Sequence, residues 1–265
     1  MAVYHKDVPA FIRQAADSVL QQALVPDELI IVIDGPIGES AEAVLGELAA
    51  ETRVRIIRLA ENVGAGPARE AGIAAARFDA IAIMDSDDIS VPERFSRQFP
   101  LLASGSAEVV GGWVDEFSET PGDLGRVRRV PSSHEEVFRF GRWRQPINNV
   151  SAMFSRRAYY RAGGFRPVRH VEDYDLWVRM LMSGARFHNI QEVLVHARCG
   201  HGMLRRRRGA SYLVAELKLF HRMYRSGYIG LFTWWGNSVV RMVSRFLPSH
   251  WLAYGYRRWL RSAQQ

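Results

Sequence analysis

Four short apolar runs punctuate the first hundred residues, with helically spaced segments between them. They are Ala2-Val3-Tyr4, residues 29–33, residues 54–59 and the run beginning at Ile81. The 29–33 run, Leu-Ile-Ile-Val-Ile, contains no polar residue, so as a strand it needs apolar cover on both faces. The intervening segments 9–22, 39–50 and 65–77 supply that cover as helices; in the first, Phe11, Ile12, Ala15, Val19 and Leu20 fall to one side. Strand and helix alternating across short turns predict a mostly parallel α/β sheet flanked by helices.

Such a sheet carries the carboxyl ends of its strands to one rim, whatever their separation in sequence, and ligands bind at that rim. Tyr4 ends the first strand and Asp34 the second, ahead of a Gly35-Pro36 turn. A Gly-rich segment, 62–72, follows the third, and Asp85-Ser86-Asp87-Asp88 follows the fourth. An aromatic ring, a carboxylate, a glycine loop with Arg69 and a cluster of acids together suit a nucleotide. Asp85 and Asp87 alternate, so in extended chain they share a face and can grip one divalent cation, leaving coordination positions for phosphate oxygens. Pro92-Glu93-Arg94 reads as the first turn of a helix with Ser90 as a candidate cap, and the competing reading makes the aspartates turn residues and a helix cap. A dinucleotide fold is disfavoured, because its glycine fingerprint follows the first strand and here follows the third.

After residue 102 the alternation loosens. Strands are expected at 107–113, 148–154, 186–190 and 193–197, a loop at 119–129, and helices at 156–162 and 171–183. From Arg205 onward the chain reads as helical with breaks at Gly227, Gly236 and Pro248. The expected organisation is therefore a catalytic domain over 1–200, split into a nucleotide half (1–102) and an acceptor half (103–200), followed by a helical tail over 201–265. The single cysteine, Cys199, excludes an internal disulfide and fits a reducing compartment.

Charge is uneven. Of the 35 Lys and Arg, twelve lie from His201 onward, against Glu216 alone of the 28 acids. Trp234, Trp235, Trp251, Tyr254 and Trp259 alternate there with Arg241, Arg245, Arg257, Arg258 and Arg261. Residues 228–247 have the length of a membrane span, but Asn237, Arg241 and Arg245 interrupt it. Aromatic and basic residues together suit an anionic membrane surface. Packing on the catalytic domain, or a contact between copies in a homo-oligomer, are the alternatives. Nucleic acid is not an expected partner.

The segments Val3-Tyr4-His5-Lys6, Ile31-Val32-Ile33-Asp34-Gly35-Pro36, 62–72, Asp85-Ser86-Asp87-Asp88 and Val171-Glu172-Asp173-Tyr174-Asp175-Leu176-Trp177 together resemble family 2 glycosyltransferases of the GT-A fold, specifically bacterial members that build surface polysaccharides. The resemblance implies that Tyr4 stacks on the donor's base, Asp34 contacts base or ribose, and Gly64 and Arg69 line the nucleotide pocket. It places Asp85 and Ser86 on the nucleotide-sugar, and Asp87, with Asp88 as a second candidate, on a divalent metal (Mn or Mg). It makes Asp173 the catalytic base, with Glu172 beside it. Asn148 and His201 are expected on the acceptor side or as accessory groups, and His196 as a weaker metal or phosphate candidate.

Asp173 also lies at a helix start, where any acid is stabilised by the dipole, so a base role requires partial burial or the neighbouring Glu172 to offset that. Gln145 and Asn149 depart from the family's usual residues, and Met1 leaves the first strand short. The activity implied is inverting transfer from a nucleotide-diphosphate donor, UDP-linked, to a glycan hydroxyl on a polyprenyl diphosphate carrier. The place implied is the cytoplasmic face of the plasma membrane. A sugar nucleotidyltransferase should instead carry a basic Gly-rich loop after its first strand, and His5-Lys6-Asp7-Val8-Pro9 is not one. A non-enzymatic membrane or nucleic-acid adaptor leaves the acids unexplained.

Overall fold

The computed structural model describes residues 1–168, 170–199 and 209–246. The chain divides into two units, Met1–Val168 with Glu172–His201, and Arg169–Val171 with Gly202–Gln265.

In the first unit the expected alternation is present. Strand β1 (Ala2–Val3), helix α1 (Pro9–Leu20), β2 (Leu29–Asp34), α2 (Glu39–Leu48), β3 (Val54–Leu59), α3 (Ala65–Ala75) and β4 (Ala80–Ala82) follow one another. β1, β2 and β3 are parallel neighbours, with Ala2 opposite Val32 and Ile31 opposite Ile56. A parallel bridge from Ala2 to Asp85 ties the end of the β4 segment to β1. The core between sheet and helices is aliphatic: Ile31 and Ile33 of β2 pack with Ile12, Ala15 and Val19 of α1 and Leu45 of α2.

The second half of the unit is mixed. It contains β5 (Ile89–Ser90), α4 (Arg94–Ala103), β6 (Val109–Phe117), β7 (Arg126–Arg128), α5 (His134–Phe140), β8 (Met153–Ser155), α6 (Arg156–Arg161), α7 (Glu172–Met182) and β9 (Phe187–Arg198). Its sheet runs β4-β8-β6-β9-β5, with β7 paired to β6. β8 is antiparallel to both β4 and β6, whereas β6 and β9 are parallel.

Several expectations change here. The two strands expected at 186–190 and 193–197 are one, β9; opposite Gly112 and Trp113 its register jumps from Ile190 to Val193, so Gln191 and Glu192 bulge out. The expected strand 148–154 is a 3-10 turn, Asn149–Ser151, before the short β8. The loop at 119–129 ends in β7. Ser90 caps no helix: it sits in β5, and α4 begins after Glu93 without a side-chain cap. α5 escaped sequence reading, although Ser133 and Glu136 form a capping box at its start.

The second unit contains α8 (Ala210–Arg225) and α9 (Leu231–Phe246). Gly227, with φ of 79°, follows α8, whereas α9 runs through Gly236 without the expected break. The rings of Tyr224 and Trp234 stack at 5.5 Å, Glu216 pairs with Arg241 at 3.4 Å, and the Arg241 guanidinium lies over Phe220. Pro248 and the aromatic-basic stretch beyond it lie outside the described residues, as do His201 and Arg205 to Arg208.

Candidate active site

Each parallel strand delivers its last residues to one neighbourhood. At the end of β2, the buried carboxylate of Asp34 accepts from the backbone N–H of Val63 at 2.7 Å and of Gly64 at 3.0 Å. The Gly-rich loop is thus held by a charge, and Gly64, at φ of 93°, turns it into α3. Gly35 is required for the same closure, since a Cβ there would lie 2.6 Å from the nitrogen of Asn62.

At the end of β1, Asp7 ties Tyr4 to the acid turn. Its Oδ2 accepts from the N–H of Tyr4 at 3.1 Å and from the hydroxyl of Ser86 at 2.7 Å. Burial first, and the charge of Asp85 besides, raise the Asp7 pKa, while the hydrogen bonds from Ser86 and Tyr4 pull the other way. Asp7 was not recognised in the sequence; it sits beyond the strand, in an unremarkable polar stretch.

The acids are not arranged as alternation suggests. β4 stops at Ala82, Asp85 makes the bridge to Ala2, and Ser86 and Asp87 form a turn, so Asp85 and Asp87 do not share a strand face. Each acid has a separate environment. Asp85 Oδ1 accepts from Arg69 Nη2 at 2.7 Å. Asp87 is exposed at the turn. Asp88 is buried and accepts from the backbone N–H of Arg198 at 2.8 Å; burial, then Asp85 and Asp87, push its pKa well up. Asp88 therefore orders the turn, and Asp87 is the carboxylate presented to solvent.

Two arginines missed by sequence reading hold this turn. Arg94, at the start of α4, is fully buried; its Nη2 donates to the carbonyl of Ile83 at 2.9 Å and its Nε to Gln98 at 3.0 Å. Burial brings its pKa down to about 9, with Asp85 and Asp88 opposing. Arg198, at the end of β9, donates from Nε to the Asp87 carbonyl at 3.2 Å. Its guanidinium lies 3.8 Å from the ring centre of Phe11 and 4.6 Å from that of Phe117. Phe11, expected to face the core on α1, serves as this platform.

Opposite stands the start of α7. Trp177, completely buried among Phe154 and Phe187, anchors the helix, and the Asp175–Arg179 pair at 2.8 Å fixes its first turns. Glu172 and Asp173 then project from the N-terminal turn. Glu172 lies along Gly66 of the glycine loop: a Cβ on Gly66 would sit 3.6 Å from Glu172 Cγ. Asp173 is half-buried and accepts from Gln145 Nε2 at 2.8 Å and from the N–H of Tyr174 at 2.8 Å.

Arg69 joins the two sides. Burial works against its charge, yet Asp85 first, then Asp173 and Glu172, hold its pKa above the ordinary value. The Tyr159 hydroxyl, which donates to Glu70 of α3 and accepts from the N–H of Phe165 at 2.7 Å, fastens α3 to the chain leading into α7.

One expected site residue, Asn148, belongs to the scaffold, and another, His196, lies opposite Ile89, next to the acid turn. Asn148, expected on the acceptor side, is buried and donates to the carbonyls of Gly112 and Arg128 at 2.9 and 3.1 Å, so it belongs to the scaffold. His196 pairs through Nδ1 with Asp115 Oδ2 at 2.8 Å on neighbouring strands.

A parallel-stranded half that presents a glycine loop and an acid turn to a carboxylate-tipped helix is the architecture of the GT-A glycosyltransferases. Residues 1–169 match Glycosyl transferase family 2, and the chain belongs to that family.

Among its relatives is the UDP-Gal:alpha-D-GlcNAc-diphosphoundecaprenol beta-1,3-galactosyltransferase of Escherichia coli, 31% identical, with 98% of this chain and 95% of the relative covered. Another is the amylovoran biosynthesis glycosyltransferase AmsE of Erwinia amylovora, 31% identical, with 97% of each covered. The structure of S. aureus TarS 1–349 with UDP-GlcNAc superposes with a TM-score of 0.69 at 13% identity, over 97% of this chain and 74% of that one. The Pyrobaculum calidifontis mannosyltransferase PcManGT, solved with GDP-Man and Mn2+, gives 0.64 at 15% identity, over 98% and 79%. At these identities the structural likenesses establish the shared fold.

Proposed function

We propose that this glycosyltransferase is metal-dependent and inverting, and that it moves a sugar from a UDP-linked donor to a hydroxyl of a glycan carried on a polyprenyl diphosphate. It would do so at the cytoplasmic face of the plasma membrane. The observation that carries the reading is Arg69, which pairs with Asp85 of the donor side while its charge answers to Asp173 and Glu172 of the opposite side. The name of the E. coli relative supports donor and acceptor class, and that of the Erwinia relative supports polysaccharide synthesis.

In this reading Tyr4 stacks on the base, Asp34 and Gly64 bound the nucleoside pocket, and Asp85, Ser86 and Arg69 meet the ribose and diphosphate. Asp87 holds Mn or Mg. The fit is chemical: Asp87 is an exposed hard-oxygen donor. That suits a cation bound by one or two carboxylates and completed by substrate phosphate. Such a cation, when bound, would neutralise charge on the departing diphosphate. Asp173 takes the proton of the acceptor hydroxyl as it attacks the anomeric carbon. Gln145 fixes one oxygen of that carboxylate, and Glu172 keeps the site anionic and Arg69 oriented.

Incubation with a panel of nucleotide-sugars and a synthetic polyprenyl-diphosphate glycan tests the reading. Transfer from a UDP-sugar is expected, lost on chelation, restored by Mn2+ or Mg2+, and giving inverted anomeric configuration. Transfer that survives chelation would remove the metal, and retained configuration would remove the single-base mechanism.

A further inference from the structure

We propose that the solvent-facing side of α9 is a lipid-contacting surface that lies flat on anionic bilayers. The helix is amphipathic with its apolar side turned outward. Phe232 is 89% exposed, Trp235 64%, Leu231 53%, Val243 50% and Met242 40%. At the helical repeat these positions fall within an arc of about 120°. The opposite side packs on α8: Asn237 is buried, Trp234 stacks on Tyr224, and Arg241 pairs with Glu216. A contiguous row of large apolar side chains in water marks an interaction site.

Charge selects the occupant. Residues 209–246 hold Lys218, Arg222, Arg225, Arg241 and Arg245 against Glu216, and Glu216 is engaged by Arg241. A second copy would repeat the net positive charge that 209–246 carries beside this face, whereas anionic headgroups answer it. In sequence, residues 247–265 continue the composition, with three arginines, two tryptophans, two tyrosines and no acid. No described helix is long and apolar enough to cross a membrane, so α9 is suited to the interface and not to spanning. The inference deepens the membrane part of the proposed function and rests on it only for which membrane is met; lipid contact by α9 stands or fails apart from catalysis.

The test is flotation of the full chain with vesicles of phosphatidylglycerol and phosphatidylcholine, beside the double variant Phe232→Glu, Trp235→Glu. Both positions are exposed, so the variant should fold, and unchanged UDP binding by calorimetry checks this. Wild type is expected to float with the anionic vesicles and the variant to bind at least about tenfold more weakly. Equal flotation of variant and wild type would overturn the proposal. Equal binding of wild type to pure phosphatidylcholine would overturn the choice of anionic lipid. A wild-type dimer in sedimentation velocity that the variant dissolves, with neither floating, would give the face to a second copy. Transfer to a water-soluble acceptor should be the same for both proteins; its absence in both would count against the proposed function and leave the flotation result standing.

Discussion

The two halves of the first unit are built on different plans. Through β3, strands pair with strands a single helix away, all parallel, and each ends at the same rim. Beyond it, partners come from far along the chain: β6 aligns Val109 with Phe187, and β8 lies antiparallel between β4 and β6. The first half makes a place for a ligand through repetition. The second brings in particular groups, Asp173 from α7 and Arg198 from β9, and sets them against what the first presents. Under the proposed function, recognition is thus local in sequence, and assembly of the reacting centre is not.

That division can be broken most sharply at Asp173. Asp173→Asn should lower kcat by about 10²- to 10⁴-fold, with UDP affinity within about twofold of wild type. Retention of most activity would place the base elsewhere. On the donor side, Asp87→Ala should weaken Mn2+-dependent UDP binding by about tenfold or more while leaving thermal stability nearly unchanged, because the side chain is exposed. Arg198→Gln crosses the division. If the second half holds the acid turn of the first, donor affinity in Mn2+ should fall several-fold, and Arg198→Lys should restore only part of it, since a planar fork stacked on Phe11 is lost.

The smallest effect concerns the frame of the first half. Glu28 accepts from Arg55 at 3.0 Å and from the Arg77 backbone at 2.8 Å. Burial opposes its charge, but these bonds win and its pKa is lowered. A carboxylate whose folded pKa lies below its unfolded value contributes stability above the unfolded pKa, near 4.5, and loses it as pH falls through the folded one. Glu28→Gln should therefore cost about 1 kcal/mol at pH 7 and flatten the decline in stability below about pH 4.5, read by thermal unfolding across pH.

Legibility in the sequence follows the same division. β2 and β3 announce themselves because aliphatic runs between helices have few other uses, and Asp34, Gly64 and the acid turn follow from where those runs end. β9 was legible only in pieces, since the exposed Gln191 and Glu192 break its apolar pattern at the bulge. Arg94 and Arg198 were invisible as site residues: an arginine reads as surface until the carbonyls and rings that receive it are known. Asn148 misled for the converse reason, because a polar residue near a motif can equally satisfy backbone carbonyls inside a sheet.

The two bonds from Asp34 to the glycine loop alter how its substitution must be interpreted. An amide at this position offers one oxygen where two N–H groups need acceptors, and turns an NH2 toward one of them. Weak UDP binding by an Asp34→Asn enzyme would then report a misplaced loop together with any missing nucleoside contact. Uridine analogues altered at the base edge or the ribose hydroxyls, titrated against the unmodified protein, separate those two causes, which protein variants at this position blur.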